Sequence, residues 1–396
     1  MLDSVKNYFK DKDHQILLLA FCIYLPFIFL GYGSDYDSHN VVWAGKNFAE
    51  TLDYVPSRVP GFPIYELITF FFNIIGGSIL TNLASLGMSL LILSNFMRIS
   101  KANQVPNYRL LTLIFMLHPY YLVNSTCTMD YLFAFGFAFL GLVKFNQRKF
   151  FAAGLLMALG IGSRLTTGLV AAVFYFWVFF TQKEDRGKII LAGVVTTICT
   201  LLFYVPSIDF AEWDFSYISP SVGTAVYWTP MLRIGRWVYK TIYFWSPPVI
   251  IILAWGVLRL LTKRAKWPLL ENKSLPWASI AMILVIQAFY MYIPTEPAYM
   301  IPTIPFWMIL MGIAFADKKK ALYILLALVI LSNFVSFNVA RPDKVNQATG
   351  AQYGLWIEPG HLVKDFNKRI EYLKCGNQPC DLLEDAETVP AEQDLP

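Results

Sequence analysis

Charge is scarce in this chain. Charged residues fill 15% of its 396 positions, whereas soluble domains carry about 25%, and hydrophobic residues fill 56%, with a mean hydropathy of +0.49. That balance excludes an ordinary water-soluble domain. Histidine is scarcer still, at four residues; a metal site built from His39 and His118 has no support from helix spacing, so none is assigned. Of the five cysteines, Cys22, Cys127 and Cys199 stand alone in or beside apolar runs and pack as small apolar groups. Cys375-Gly-Asn-Gln-Pro-Cys380 offers too few thiols for zinc, and its turn suits a disulfide in an oxidising compartment. No glycine-rich nucleotide loop, solenoid-length repeat or low-complexity linker interrupts the chain. The first apolar run contains Pro26 and is followed by no small-residue cleavage site, so it reads as a retained anchor.

What the chain does have is a series of apolar runs suited to a hydrocarbon core of about 30 Å. They span 15–30, 79–97, 110–123, 131–143, 150–161, 167–180, 189–204, 247–261, 279–292, 301–315 and 321–337. The expected fold is therefore an all-α polytopic transmembrane bundle of about eleven spans. Positive charge orients it, because short cytoplasmic loops retain lysine and arginine. With the N-terminus inside, the inner segments collect 20 of the 32 basic residues, six more follow Phe337, and only Lys46, Arg58, Arg164, Arg233, Arg236 and Lys240 fall in outer loops. This predicts a cytoplasmic N-terminus and an outer C-terminus, and it attributes the +5 net charge to cytoplasmic loops instead of nucleic-acid binding. Residues 1–337 form the membrane module. Within it 32–77 is a first outer loop whose aromatic run Ile64 to Phe72 lies as an interfacial helix; 338–396 is an outer tail, partly disordered because its end is acidic with no basic residue.

The outer face gathers ionisable groups. Asp35, Asp37, His39 and Arg58 come from the first loop, His118 and Asp130 from the second, Arg164 from Gly160-Ile-Gly-Ser-Arg164, Arg233 and Arg236 from a long loop, and Glu296 from Pro294-Thr-Glu-Pro-Ala-Tyr-Met-Ile-Pro302. Carboxylates and guanidiniums at one depth suit a reaction that needs a base and anion neutralisation. Each also has a plain structural reading. Asp35 and Asp37 suit an Asx turn into a helix, Arg58 suits a side chain snorkelling to headgroups, and Asp130 suits a helix N-cap. His39 and His118 read first as hydrogen-bonding side chains. Glu296 suits a polar hinge, and Arg164 an ion pair with Asp130 or Glu296. Arg164 carries the strongest functional reading, since an unpaired cation between two close apolar runs is costly. Trp213, Tyr227, Trp228 and Trp237 in the long outer loop are candidate sugar platforms, against the interfacial belt that most aromatic residues here form.

Together these strings resemble the GT-C superfamily of membrane glycosyltransferases that use polyprenyl-phosphate sugars, of mannosyltransferase and aminoarabinose-transferase kind. The resemblance rests on the acidic pair after the first span, Ser57-Arg-Val-Pro-Gly-Phe-Pro63 opening an interface helix, Met129-Asp130, Gly160-Ile-Gly-Ser-Arg164 and Glu296-Pro-Ala-Tyr299-Met-Ile-Pro302, over roughly residues 15–337. The second acid falls at Asp37 and not directly after Asp35, which leaves the base open between the two. The resemblance implies inverting transfer of a sugar from a polyprenyl phosphate to a glycan, lipid or protein acceptor at the outer face of a bacterial inner membrane. It assigns Asp35 or Asp37 as general base and Arg58 and Arg164 to the donor phosphate. His39, Asp130, Glu296, Tyr299, Arg233 and Arg236 would contact substrate. No cofactor is required, and a divalent cation is left open. Two rivals are a transporter or lipid flippase, which would show repeated halves and midplane charges, and a polysaccharide polymerase or ligase centred on the loop with Arg233 and Arg236.

Overall fold

The computed structural model describes residues 11–214, 228–262, 273–342 and 351–380. Lys263, Arg264 and Lys266 of a predicted inner loop, Tyr227 of the outer loop and the acidic stretch from Asp381 lie outside them. The first span is helix α1 (Lys12–Tyr24), capped by the Asp11 carboxylate and continued by a 3-10 turn (Leu25–Phe29) that Pro26 initiates. Helix α2 (Tyr36–Thr51) follows the acidic loop, and α3 (Pro63–Ala102) is broken at Gly76 and Gly77, where Gly77 takes the left-handed φ of +56°. The break separates a first segment, containing the expected interfacial run, from a second segment that enters the bundle.

The predicted single span 110–123 is instead two short helices, α4 (Tyr108–Met116) and α5 (Pro119–Asn124). Pro119 explains the break, because the residue before a proline is driven out of the helical region and His118 sits at ψ 127°. Helices α6 (Tyr131–Asn146), α7 (Phe150–Ser163) and α8 (Thr167–Thr181) are apolar but short. At 1.5 Å per residue they run only about 20–24 Å, and packing against neighbours compensates for their length. A Cβ on Gly154 would come within 2.6 Å of the Ala192 carbonyl, and one on Gly160 within 2.8 Å of the Ala134 carbonyl, so glycine lets α7 approach both α9 (Arg186–Phe210) and α6.

Helix α10 (Pro230–Trp245) lies at 95° to α11 (Pro247–Leu261), the corner being made by Ser246 at φ +61° and the two following prolines. Helix α12 (Leu275–Tyr292) leads through a 3-10 turn (Pro297–Thr303) to α13 (Ile304–Ala314), which is buried along its length, and then α14 (Lys319–Phe334). Among the described residues five helical stretches are long and apolar enough to cross a membrane, six if α10 and α11 count as one. The protein is thus an all-α polytopic membrane bundle, with fewer full-length spans than the apolar runs suggest.

The last predicted span ends early. Helix α14 stops at Phe334, and Val335 opens strand β1 (Val335–Pro342), which pairs antiparallel with β2 (Ala351–Pro359). Gly360 then starts α15 (His361–Lys374), closed by a disulfide between Cys375 and Cys380. The segment read as a tail therefore carries a hairpin and an amphipathic helix, and α15 packs beside α5 and α14.

Candidate functional site

The acidic loop is built by glycine. Gly31 has φ +76°, and a Cβ on Gly33 would lie 2.7 Å from Ser38 Oγ. The loop delivers Asp35 as N-cap of α2, where its carboxylate accepts the Asp37 amide at 3.0 Å. His39 supports the turn through the Gly33 carbonyl at 3.2 Å and packs edge-on to Tyr372. Asn82 Nδ2 donates to the Ile28 and Gly31 carbonyls at 2.9 and 2.6 Å. The Asx reading of the loop is realised, and it fixes the carboxylate in place.

Asp35 and Asp37 diverge. Asp37 is ion-paired to Arg58. Asp35 instead lines a cavity of about 60 Å³ shared with Ser34, Tyr131, Glu296, His361 and Asp365. Arg58 reaches Asp130 Oδ1 at 3.3 Å, and Arg164 reaches Asp130 Oδ2 at 2.5 Å, so one fully buried carboxylate bridges two guanidiniums. Aromatic faces complete the enclosure: Arg58 lies 4.4 Å over Phe62, and Arg164 lies 4.0 Å over Tyr131 and 4.4 Å over Tyr299. The expected Arg164–Asp130 pair is present. The buried Nε atoms of Arg58 and Arg164 nevertheless have no hydrogen-bond partner among the described residues.

The electrostatics follow burial. Burial pushes the Asp37 carboxyl up, and the neighbouring Asp35 and Asp130 add to this while Arg58 offsets part of it. For Asp130 burial acts in the same direction, but Arg164 and Arg58 outweigh it and hold the carboxyl below its usual range. Burial raises Glu296, with Lys240 opposing and Asp35 and Asp37 reinforcing. Lys240 donates to the Thr295 carbonyl beside Glu296, and burial lowers it to about 8. Among the described residues no group of three potential metal ligands comes together.

Arg233 and Arg236 sit on α10, over the rings of Tyr292 at 4.9 Å and Trp228 at 4.1 Å. His118 is not the hydrogen-bonding residue expected: both ring nitrogens are buried without a partner among the described residues, and its ring lies within 5 Å of the Phe244 and Trp245 rings. Sequence reasoning missed Glu66, whose carboxylate accepts from Tyr54 Oη and Ser57 Oγ at 2.5 Å and from the Ser57 amide at 2.7 Å, fixing the turn that presents Arg58. A lone acid in the apolar run Ile64 to Phe72 was the available signal. Lys240, Asp365 and Arg369 were missed as well, and only Lys240 stood among the rare outer cations.

Beside this turn a groove of about 320 Å³ is lined by Phe48, Leu67, Phe70, Leu202 and Phe203, with Tyr54 and Glu66 at its polar end. It lies between α2, the start of α3 and the end of α9.

No protein-family model matches the sequence, and no curated protein matches it. In structure the chain is similar to ArnT from Cupriavidus metallidurans solved with bound undecaprenyl phosphate, with a TM-score of 0.59, 14% identity, and coverage of 80% of this chain and 63% of that one. It is also similar to ArnT of the same organism in the apo state, with a TM-score of 0.51, 16% identity, and coverage of 77% and 59%. The chain spans about 60% of the length of the structures it matches. The likeness shows a fold similar to that of ArnT.

Proposed function

We propose that this protein is a glycosyltransferase that moves a sugar from a polyprenyl-phosphate donor to an acceptor at the outer membrane face, with inversion. The observation that carries the reading is the pair of guanidiniums on Asp130, Arg164 buried and Arg58 partly so, each with a buried Nε that has no partner among the described residues, and an apolar groove beside the turn that holds Arg58. A lipid phosphate needs both a slot for its chain and cations for its head. ArnT, similar in fold, has been solved with undecaprenyl phosphate, which supports a lipid of this class.

The step is a displacement at the anomeric carbon. The acceptor oxygen bonds to that carbon as the bond to the phosphate oxygen breaks, and the electron pair leaves with the polyprenyl phosphate. The acceptor proton passes to a carboxylate. Asp35 takes this role because it lines the cavity, whereas Asp37 is held by Arg58. Arg58 and Arg164 stabilise the charge that gathers on the departing phosphate. Asp130 keeps the two cations together before substrate arrives, and Glu66 and Phe62 keep Arg58 from swinging to lipid. No cofactor is needed for this displacement, and the acceptor is a glycan, lipid or protein bearing a nucleophilic group.

The test is release of polyprenyl phosphate from a radiolabelled polyprenyl-phosphate sugar by the purified protein in lipid nanodiscs. Wild type is expected to consume donor, and Arg164→Lys and Arg58→Ala to need more of it. Donor saturation unchanged in both variants would remove the phosphate role.

A further inference from the structure

The C-terminal helix α15 occupies an unexpected place. Arg369 is 0% exposed although it carries a full charge, and four of its six hydrogen bonds go to backbone carbonyls. Its guanidinium donates to the Phe27 carbonyl at 2.8 Å, Leu30 at 3.1 Å and Gly31 at 3.3 Å, and on the other side to the Thr126 carbonyl at 2.8 Å and Thr126 Oγ1 at 3.3 Å. The first three acceptors lie where the first span ends and the Asp35 loop begins. Thr126 lies four residues before Asp130. One side chain from the far end of the sequence thus ties the two segments that carry the carboxylates of the site.

The rest of α15 repeats the pattern. Asp365, itself 3% exposed, pairs with Arg369 at 3.4 Å and accepts Ser34 Oγ at 2.6 Å, directly beside Asp35. His361 and Asp365 both line the Asp35 cavity. Beyond the helix, the turn closed by Cys375 and Cys380 presents Asn377, which accepts the Tyr32 amide at 3.3 Å. A Cβ on Gly31 would fall 2.0 Å from Asn377 Oδ1, so glycine at 31 admits this contact. A main-chain bond, Thr128 N to Tyr32 O at 2.7 Å, joins the two loops, and α15 brackets it.

Burying an arginine costs several kcal/mol unless its hydrogen bonds are met. A helix needed only to cover apolar surface would bury leucine there. We infer that α15 is a working part of the site: Arg369, Asp365 and Asn377 are positioning residues that set Asp35 at a fixed distance from the Asp130–arginine cluster. Preorganisation of this kind matters because misplacing a reacting group by about 1 Å lowers rates on the order of 10²-fold. The catalytic part of the inference rests on the proposed transfer reaction; the positioning part does not.

Two readouts separate them. Arg369→Lys, Asp365→Asn and Ser34→Ala are compared with wild type in nanodiscs by amide hydrogen exchange and by transfer kinetics. Exchange is expected to rise together in 31–38 and 126–130 and to stay unchanged in α7 and α9. The kcat is expected to fall about tenfold or more in the Arg369 and Asp365 variants, and a few-fold in Ser34→Ala, with donor KM within about twofold, since none of the three touches the arginine pair. Unchanged exchange in both loops would overturn the positioning role, whatever the activity. Raised exchange with wild-type kcat would overturn its part in catalysis. Absence of transfer in wild type itself would count against the proposed function, while the exchange result still decides the clamp.

Discussion

Two pairs of arginines stand near the candidate site of this protein, and they live differently. Arg58 and Arg164 are drawn into the bundle, share the buried Asp130 and press on Phe62, Tyr131 and Tyr299. Arg233 and Arg236 ride on the amphipathic helix α10, half-buried, over Tyr292 and Trp228. Residue type and side of the membrane are the same, so neither explains the difference. It comes from the supporting structure: Glu66 locks the turn before Arg58, and Gly160 lets α7 close on α6 so that Arg164, at the end of α7, faces Asp130. A cation becomes a candidate for chemistry when the fold has invested a buried partner in it. An arginine on an amphipathic helix face also packs its stem and ring contacts along the surface, as Arg233 does on Tyr292 and Arg236 on Trp228.

The comparison is broken hardest at Asp130. Asp130→Asn leaves the buried Arg164 without its counter-charge and Arg58 with Asp37 alone, and loss of one member of such a cluster costs about 3–5 kcal/mol. The expected result is a large drop in the thermal midpoint together with loss of donor use, read by unfolding in nanodiscs. Arg58→Ala and Arg164→Ala come next, with loss of donor use of about 10²-fold or more and only partial rescue by lysine, which lacks the two-pronged geometry. Arg233→Ala and Arg236→Ala should do least. Each removes about 1 kcal/mol of attraction to anionic lipid, so transfer is expected to stay within a few-fold of wild type and to be insensitive to salt only when both are gone. Inactivation by either single change would erase the distinction between the two pairs.

Lys240 adds to the contrast, since it shares α10 with Arg233 and Arg236 but reaches the edge of the site. Its folded-state value of about 8 lies below its ordinary value of 10.5. Between those limits the unfolded chain binds the extra proton, so this group makes stability rise as pH climbs from about 8 toward about 10.5. Thermal midpoints measured across that window should rise less in Lys240→Met, and an identical slope would refute the burial of its charge.

Much of this was legible in advance, though unevenly. The membrane class, the clustering of Asp35, Arg58, Asp130 and Arg164 and the Arg164–Asp130 pair follow from local rules: an apolar run, a glycine-framed loop, a charge too costly to leave alone. The number of full spans was not legible, because α6, α7 and α8 are apolar enough to count but too short, and only packing shows how they are accommodated. The break at His118 was available in Pro119. The role of α15 was hidden for another reason. Arg369 and Asp365 sit in a polar helical segment that reads as a solvated tail, and their partners Gly31, Ser34 and Thr126 are more than 240 residues away.

The orientation that places both arginine pairs outside is open to labelling. Single cysteines at Ser57 and Glu296 in a cysteine-free background should react with an impermeant thiol reagent in intact cells, and those at Asn103 and Lys319 only after permeabilisation. The reverse pattern would move the site to the cytoplasm.

The central claim is that Asp35 takes the acceptor proton while Asp37 serves Arg58, and one measurement reaches it most directly. Single-turnover transfer from a purified polyprenyl-phosphate sugar is followed in Asp35→Asn and Asp37→Asn at saturating donor. The account predicts that Asp35→Asn lowers the transfer rate by about 10²-fold or more with donor affinity retained, whereas Asp37→Asn weakens donor affinity and leaves the rate at saturation within about tenfold. Near-normal turnover in Asp35→Asn, with the loss of rate appearing in Asp37→Asn, would contradict it.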